Sequence, residues 1–172
     1  MAITLDGNNL STVGVINSAT AQNSTSGTSI DFTGIPSGVK RITVMLNGVS
    51  TSGTSIVQIQ LGDSGGIETS GYSGVTVRSG ASNTYTSAYS SGVLTQTAMT
   101  AASTYIGQIV FTNISGNSWL ASGMTANATS PTNDSCSICG AKTLSDTLTQ
   151  VRITTVNGTD TFDAGSINIL YE

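Results

Sequence analysis

The sequence predicts an all-β fold, an antiparallel β-sandwich or jelly-roll-like single domain. Three observations lead there. Apolar residues come in short runs that alternate with polar ones at a period of two. Clusters of Gly, Ser, Asn and Thr separate these runs, as turns separate strands. No stretch has the three-to-four-residue apolar spacing of an amphipathic helix.

Each element follows in chain order. Residues 3–5, 12–16 and 29–32 are weak strand candidates, and 1–27 as a whole is rich in small residues. That division predicts an N-terminal arm over 1–27 and a β-sandwich over 28–172. Ile35-Pro36-Ser37-Gly38 is a turn signal, proline presetting φ and glycine admitting positive φ. Residues 40–49 form the clearest strand. Ile42, Val44 and Leu46 share one face, opposite Arg41, Thr43 and Asn47. Met45 breaks that second, polar row, so the outer face is expected to be partly covered.

Residues 55–61 follow, with Val57, Ile59 and Leu61 against Gln58 and Gln60. A weaker strand is expected over 73–77. Segment 79–104 is ambiguous, having few large apolar side chains. Residues 94–103 fit one short helix, but the favoured reading is an excursion over the surface or toward a neighbouring subunit. Residues 105–114 and 118–122 read as a hairpin around the turn at 113–117. A weak strand at 137–143 precedes one at 148–156, where Val151, Ile153 and Thr155 alternate with Gln150, Arg152 and Thr154. Asn157-Gly158 favours a type I′ hairpin turn. The last strand, 166–171, alternates Ile167 and Ile169 with Asn168 and Leu170.

Composition narrows function. At 172 residues the chain can bury a core as one domain. Only 8% of residues are charged, the formal net charge is −4, and histidine is absent. Weak surface repulsion favours association. Without imidazole the usual general base near pH 7 is missing, and a Ser-His-Asp relay cannot be built. Five basic residues, of which only Lys40 and Arg41 are adjacent, cannot lay a cationic track for phosphates, so nucleic acid is not an expected partner. No apolar run approaches the ~20 residues of a spanning helix, and the first residues lack a signal-peptide pattern, so neither membrane insertion nor secretion is expected.

Two cysteines stand three apart, Cys136-Ser-Ile-Cys139. A redox pair would sit at a helix start, but this flank is loop-like. A structural zinc needs four ligands, and no second pair exists. The favoured reading is two small residues at a loop-to-strand junction, with an optional local disulfide between Cys136 and Cys139. An intermolecular disulfide or metal site at a symmetry axis is the alternative.

The carboxylate pairs Asp63 with Glu68 and Asp160 with Asp163 are close enough in sequence to meet, as a glycosidase would require. Turn caps and solvated charges are the commoner use of such acids. Asn157-Gly-Thr-Asp160-Thr-Phe-Asp163 offers oxygen ligands for calcium but lacks the full calcium-loop pattern. Catalytic residues, metal and cofactor are therefore all expected to be none. Tyr72, Tyr85, Tyr89 and Trp119 are the candidates for stacking on a receptor glycan, although aromatics on strands more often serve the core or subunit contacts.

Four stretches carry a family resemblance. They are Ile30-Asp-Phe-Thr-Gly-Ile-Pro-Ser-Gly-Val-Lys-Arg-Ile-Thr-Val44, Asn47-Gly-Val-Ser-Thr-Ser-Gly-Thr-Ser55, Gln60-Leu-Gly-Asp-Ser-Gly-Gly-Ile-Glu-Thr-Ser-Gly-Tyr72, and the closing stretch from Val151 to Tyr171. Together they span most of 30–172 and leave 79–104 unmatched. The chain resembles small β-rich virion proteins of tailed bacteriophages and prophages, tail-fibre-like or head-decoration-like. The resemblance implies a non-enzymatic β-sandwich subunit in a homo-oligomer, a trimer, attached to other virion proteins. A position on the tail implies a fibre or receptor-binding role, with host surface glycan as partner. The alternatives are a capsid decoration (cement) protein and a free carbohydrate-binding module. The expected location is the virion, assembled in the host cytoplasm.

Overall fold

The computed structural model describes residues 16–80, 83–101, 103–129 and 134–172. Among these there is no helix. Fourteen strands run β1 (Asn17–Ser18), β2 (Gln22–Asn23), β3 (Ser29–Thr33), β4 (Arg41–Thr51), β5 (Val57–Asp63), β6 (Gly66–Ile67) and β7 (Tyr72–Ser79). They continue with β8 (Thr84–Tyr89), β9 (Val93–Leu94), β10 (Tyr105–Ser115), β11 (Ser118–Asn127), β12 (Ser135–Thr143), β13 (Gln150–Thr155) and β14 (Phe162–Tyr171).

They build an all-β sandwich of two antiparallel sheets. The large sheet has nine strands in the order β1-β14-β4-β10-β11-β12-β7-β8, with β2 beside β1 on the same edge of β14. The small sheet has five, β3-β13-β5-β6, with β9 also on β5. Period-two alternation decides the layering. Ile42, Val44, Ile109, Phe111, Ile167 and Ile169 all face inward from the large sheet and are buried, as are Ile59, Leu61, Val151 and Ile153 of the small one. The strand readings at 29–32, 40–49, 55–61, 105–114, 148–156 and 166–171 agree with this arrangement. Those at 3–5 and at 12–15 lie outside the described residues.

Several elements differ from expectation. β11 and β12 both start earlier or run further than their composition suggests, because each pairs along its length on both sides. Asn157-Gly158 does turn the chain, with Gly158 at φ 69° and Asn157 Oδ1 accepting the Thr159 and Asp160 N–H groups at 3.0 and 3.2 Å. It joins β13 to β14, which lie in different sheets, so it is a crossing between layers and not a hairpin. Residues 16–27 are not a separate arm. β1 and β2 pair with β14, and Ser24 is fully buried with its hydroxyl donating to the Ala164 carbonyl at 2.7 Å.

Segment 79–104 departs furthest. Most of it is neither a helix nor a surface excursion. β8 extends the large sheet, and Val93, Leu94, Thr95, Gln96 and Met99 are buried. The small sheet is too narrow to cover β11, β12 and β7, so this segment widens the smaller layer. Thr95 bonds the Val57 carbonyl through both its N–H and its hydroxyl, at 3.0 and 2.9 Å. From the opposite side Thr76 donates to the Leu94 carbonyl at 2.8 Å and Thr125 donates to that of Thr95.

Candidate functional site

The aromatic candidates separate by how far the opposite layer covers them, since Tyr85 and Tyr89 share the inward face of β8. Tyr72, Tyr89 and Trp119 occupy inward positions of their strands and are 4%, 7% and 3% exposed. Tyr72 ties the layers together: its hydroxyl accepts the Leu61 N–H at 2.6 Å and donates to the Glu68 carbonyl at 3.1 Å. Tyr89 closes over the cross-strand pair Gly74–Gly140, where a Cβ on either glycine would lie within 2.3 Å of its hydroxyl oxygen. Trp119 packs in the core. None of the three can offer a ring face to a sugar. Only Tyr85 is exposed, at 48%, and the Arg78 guanidinium stands 4.5 Å from its ring centre.

The cysteines are both free, Cys136 buried and Cys139 exposed. On an extended strand residues three apart face opposite sides and stand ~10 Å apart, beyond the ~7 Å reach of a disulfide. A Cys136–Cys139 bridge is therefore excluded while β12 is formed. Burial pushes the Cys136 thiol up to about 11, and it donates to Gln96 Oε1 at 2.9 Å.

The structure brings Asp63 and Glu68 together around residues 145–146, as acceptors. Asp63 takes the Ser145 hydroxyl at 2.7 Å and the Asp146 N–H at 2.9 Å, and Glu68 takes the Ser145 N–H at 2.7 Å and pairs with Lys142. The Ser145 bond, then that of the Gly65 N–H, holds Asp63 below its ordinary value. Burial acts to raise Glu68, but the Lys142 and Ser145 bonds outweigh it and leave it low. Two carboxylates both held ionised supply no general acid. Asp160 is used likewise, accepting from Ser55 N–H at 2.9 Å and Asn157 Nδ2 at 2.8 Å, and it too is held low, chiefly by Asn157. Among the described residues no group of three His, Cys, Asp or Glu is arranged to hold a metal ion.

The feature that stands out is the outer face of the large sheet. Ile106 (41% exposed), Leu120 (47%), Met124 (58%) and Ile114 (60%) lie on it with Val75 and Cys139. The strand registers set them side by side. One row runs Leu170, Thr43, Val110, Ser122, Cys139, Val75 and Ala88, and the next runs Asn168, Met45, Gln108, Met124, Ser137, Val77 and Thr86. Neither row contains a charge. At one end of this face Arg41 pairs with Glu172 at 3.1 Å, and Asp163, the acid considered with Asp160, is exposed near the start of β14. Lys142 and Arg78 face inward, and Arg152 is held by Asp31 on the small sheet through two bonds of 2.7 Å.

Met45 had marked this face in the sequence. The same signal, an apolar side chain in the polar row, recurs at Ile106, Val110, Ile114, Leu120 and Met124, and reading β10 and β11 for it would have found the patch. Comparison with protein-family models, curated proteins and solved structures finds no match.

Proposed function

We propose that this chain is a non-enzymatic structural subunit of a tailed-phage particle, working by assembly with copies of itself and with other virion proteins. The observation that carries the reading is the uncharged, partly apolar outer face of the large sheet. Exposed apolar side chains gathered on one sheet face, set among uncharged polar ones, suit a contact site, and a surface with few charges favours association. The ionised, hydrogen-bonded state of Asp63, Glu68 and Asp160 supports a structural use of the acids. The phage assignment and the three-fold copy number come from the family resemblance of residues 30–72 and 151–171.

A tail-fibre or receptor-binding position follows from that resemblance. A second position, capsid decoration, is favoured by one observation: Tyr72, Tyr89 and Trp119 are buried, which removes most of the aromatic platform a host glycan would stack on. Cryo-electron microscopy of intact particles separates the two. Hundreds of copies over the shell mean decoration, and a few at one vertex mean the tail. In solution, light scattering should give a mass above one chain. Leu120→Lys with Met124→Lys should lower that mass while leaving the unfolding midpoint nearly unchanged, since both side chains face solvent. A wild-type chain that stays monomeric at every concentration, or that turns over a substrate, overturns the proposal.

A further inference from the structure

We propose that β8 is a two-fold contact, pairing antiparallel with β8 of a second copy so that two large sheets become one. This names one contact of the assembly proposed above and rests on that reading.

The sheet edges differ in how they are closed. β1 and β2 are two residues each with a break between them, as short as β6 and β9. The β3 edge carries Asp31, ion-paired to Arg152, and the Asp31 carbonyl accepts Gln22 Nε2 at 2.8 Å. These are ordinary ways of blunting an edge. β8 has none of them. It is six residues of Thr-Tyr-Thr-Ser-Ala-Tyr, without charge, proline or bulge, and among the described residues no strand lies on its outer side.

The phase of the hydrogen bonding tells which groups are open. Gly80 donates its N–H to the Asn83 carbonyl at 3.0 Å, so 80–83 is a hydrogen-bonded pair of the β7–β8 hairpin. Pairs in an antiparallel ladder alternate, so Arg78–Tyr85, Thr76–Ser87 and Gly74–Tyr89 are hydrogen-bonded as well. Thr84, Thr86 and Ala88 therefore aim their N–H and C=O groups away from β7. That set is self-complementary. A two-fold axis through Thr86 pairs Thr86 with the partner's Thr86 and Thr84 with the partner's Ala88, closing about six backbone hydrogen bonds.

The side chains suit the same register. Tyr85 of one copy then stands opposite Ser87 of the other. Ser87 lines an open groove of about 650 Å³ whose walls are Ile56, Ala88, Leu94 and Val156 with Thr54 and Ser55. The exposed Tyr85 ring is the protruding apolar group at that position, and Val156, 50% exposed, is the apolar wall awaiting one. Each copy supplies both knob and groove, and no charged side chain is found on β8 or among the residues that line the groove.

The contact requires an even number of copies: a dimer, or a hexamer if trimers are joined through it. Light scattering on the wild type should give an even multiple of the chain mass. Thr86→Pro removes an N–H that β7 does not use, a position where an edge strand tolerates proline, and should halve the mass. If that variant fails to fold, Thr86→Lys, which sets two like charges across the axis, should do the same. Thr86→Cys in a Cys139→Ser background should cross-link to a dimer under mild oxidation at least ten times faster than Ser18→Cys on the opposite edge. An oligomeric wild type whose mass survives both substitutions, or cysteine cross-linking no faster than the control, overturns the β8 contact and leaves the assembly reading standing. A monomeric wild type overturns both.

Discussion

The space between the sheets is filled in two different ways. Behind β14, β4 and β10 the large sheet turns inward Ile42, Val44, Leu46, Ile109, Phe111, Ile167 and Ile169, all 4% exposed or less. Behind β11, β12 and β7 the inward positions include Thr125, Cys136, Gly140, Gly74 and Thr76, which are small or polar. There the filling comes from residues 93–99, and hydrogen bonds hold it. Gln96 is the hub, donating to Thr125 Oγ1 at 2.9 Å while accepting from Cys136 Sγ. The first region is stabilised by apolar area removed from water, which is non-directional. The second depends on buried polar groups finding partners, and it is here that, among the described residues, Arg78 Nε, Thr97 Oγ1 and Trp119 Nε1 are buried without a hydrogen bond. One fold thus carries a core that tolerates repacking beside a core that tolerates little.

The sharpest way to break the comparison is Phe111→Ala. It leaves a large void in the apolar half and should cost about 3–5 kcal/mol, read as a lowered urea midpoint with little change in slope. Gln96→Ala strikes the polar half. It takes the acceptor from the Cys136 thiol and a donor from Thr125 Oγ1, whose own bond to the Thr95 carbonyl remains, and should cost about 1–3 kcal/mol. Combining it with Cys136→Ala sharpens the contrast. The double variant should be more stable than the sum of the single effects predicts, because a partnerless group is removed with its partner. Strict additivity would mean that Gln96 and Cys136 act independently.

A smaller effect concerns pH. The folded-state value of Asp63 is depressed, so the stability it contributes is complete above its unfolded value of about 4 and is lost as pH falls through the folded value. Wild-type stability should therefore decline below about pH 4, and Asp63→Asn should flatten that decline while lowering stability at neutral pH. Denaturation midpoints across pH 2–7 measure both. The smallest effect leaves stability untouched. An aromatic disulfide reagent at pH 8 should titrate Cys139 quickly in the native protein. Cys136, buried and with its thiol held protonated, should react only at the rate of unfolding. Equal rates would mean that β12 opens locally.

The same division governs what could be read from the chain. The strands at 40–49, 55–61 and 105–114 were legible because large aliphatic residues at alternate positions have one stable use, burial on one side of a sheet. Residues 93–99 were not legible. Thr, Gln and Ala carry no periodic signal, and their burial depends on acceptors contributed by Val57 and Thr125, far away in sequence. Tyr72, Tyr89 and Trp119 failed as surface candidates for a related reason. An aromatic side chain suits a core and a binding face equally, and only the packing over it tells them apart: Tyr85 and Tyr89 share one face of β8, yet one is exposed and the other buried. The cysteine pair was ambiguous until β12 was seen to run straight through it, putting the two thiols on opposite faces.

By itself the sequence determined the strand-building alternation, the scarcity of charge and the loss of imidazole chemistry, because these depend on residue type and local spacing. Tertiary structure decided which sheet each strand joins, which segment fills the polar half and, among the described residues, which face carries the exposed apolar side chains and which edge strand has no neighbour. Those outcomes rest on hydrogen bonds and packing between residues distant along the chain, and no local pattern encodes them.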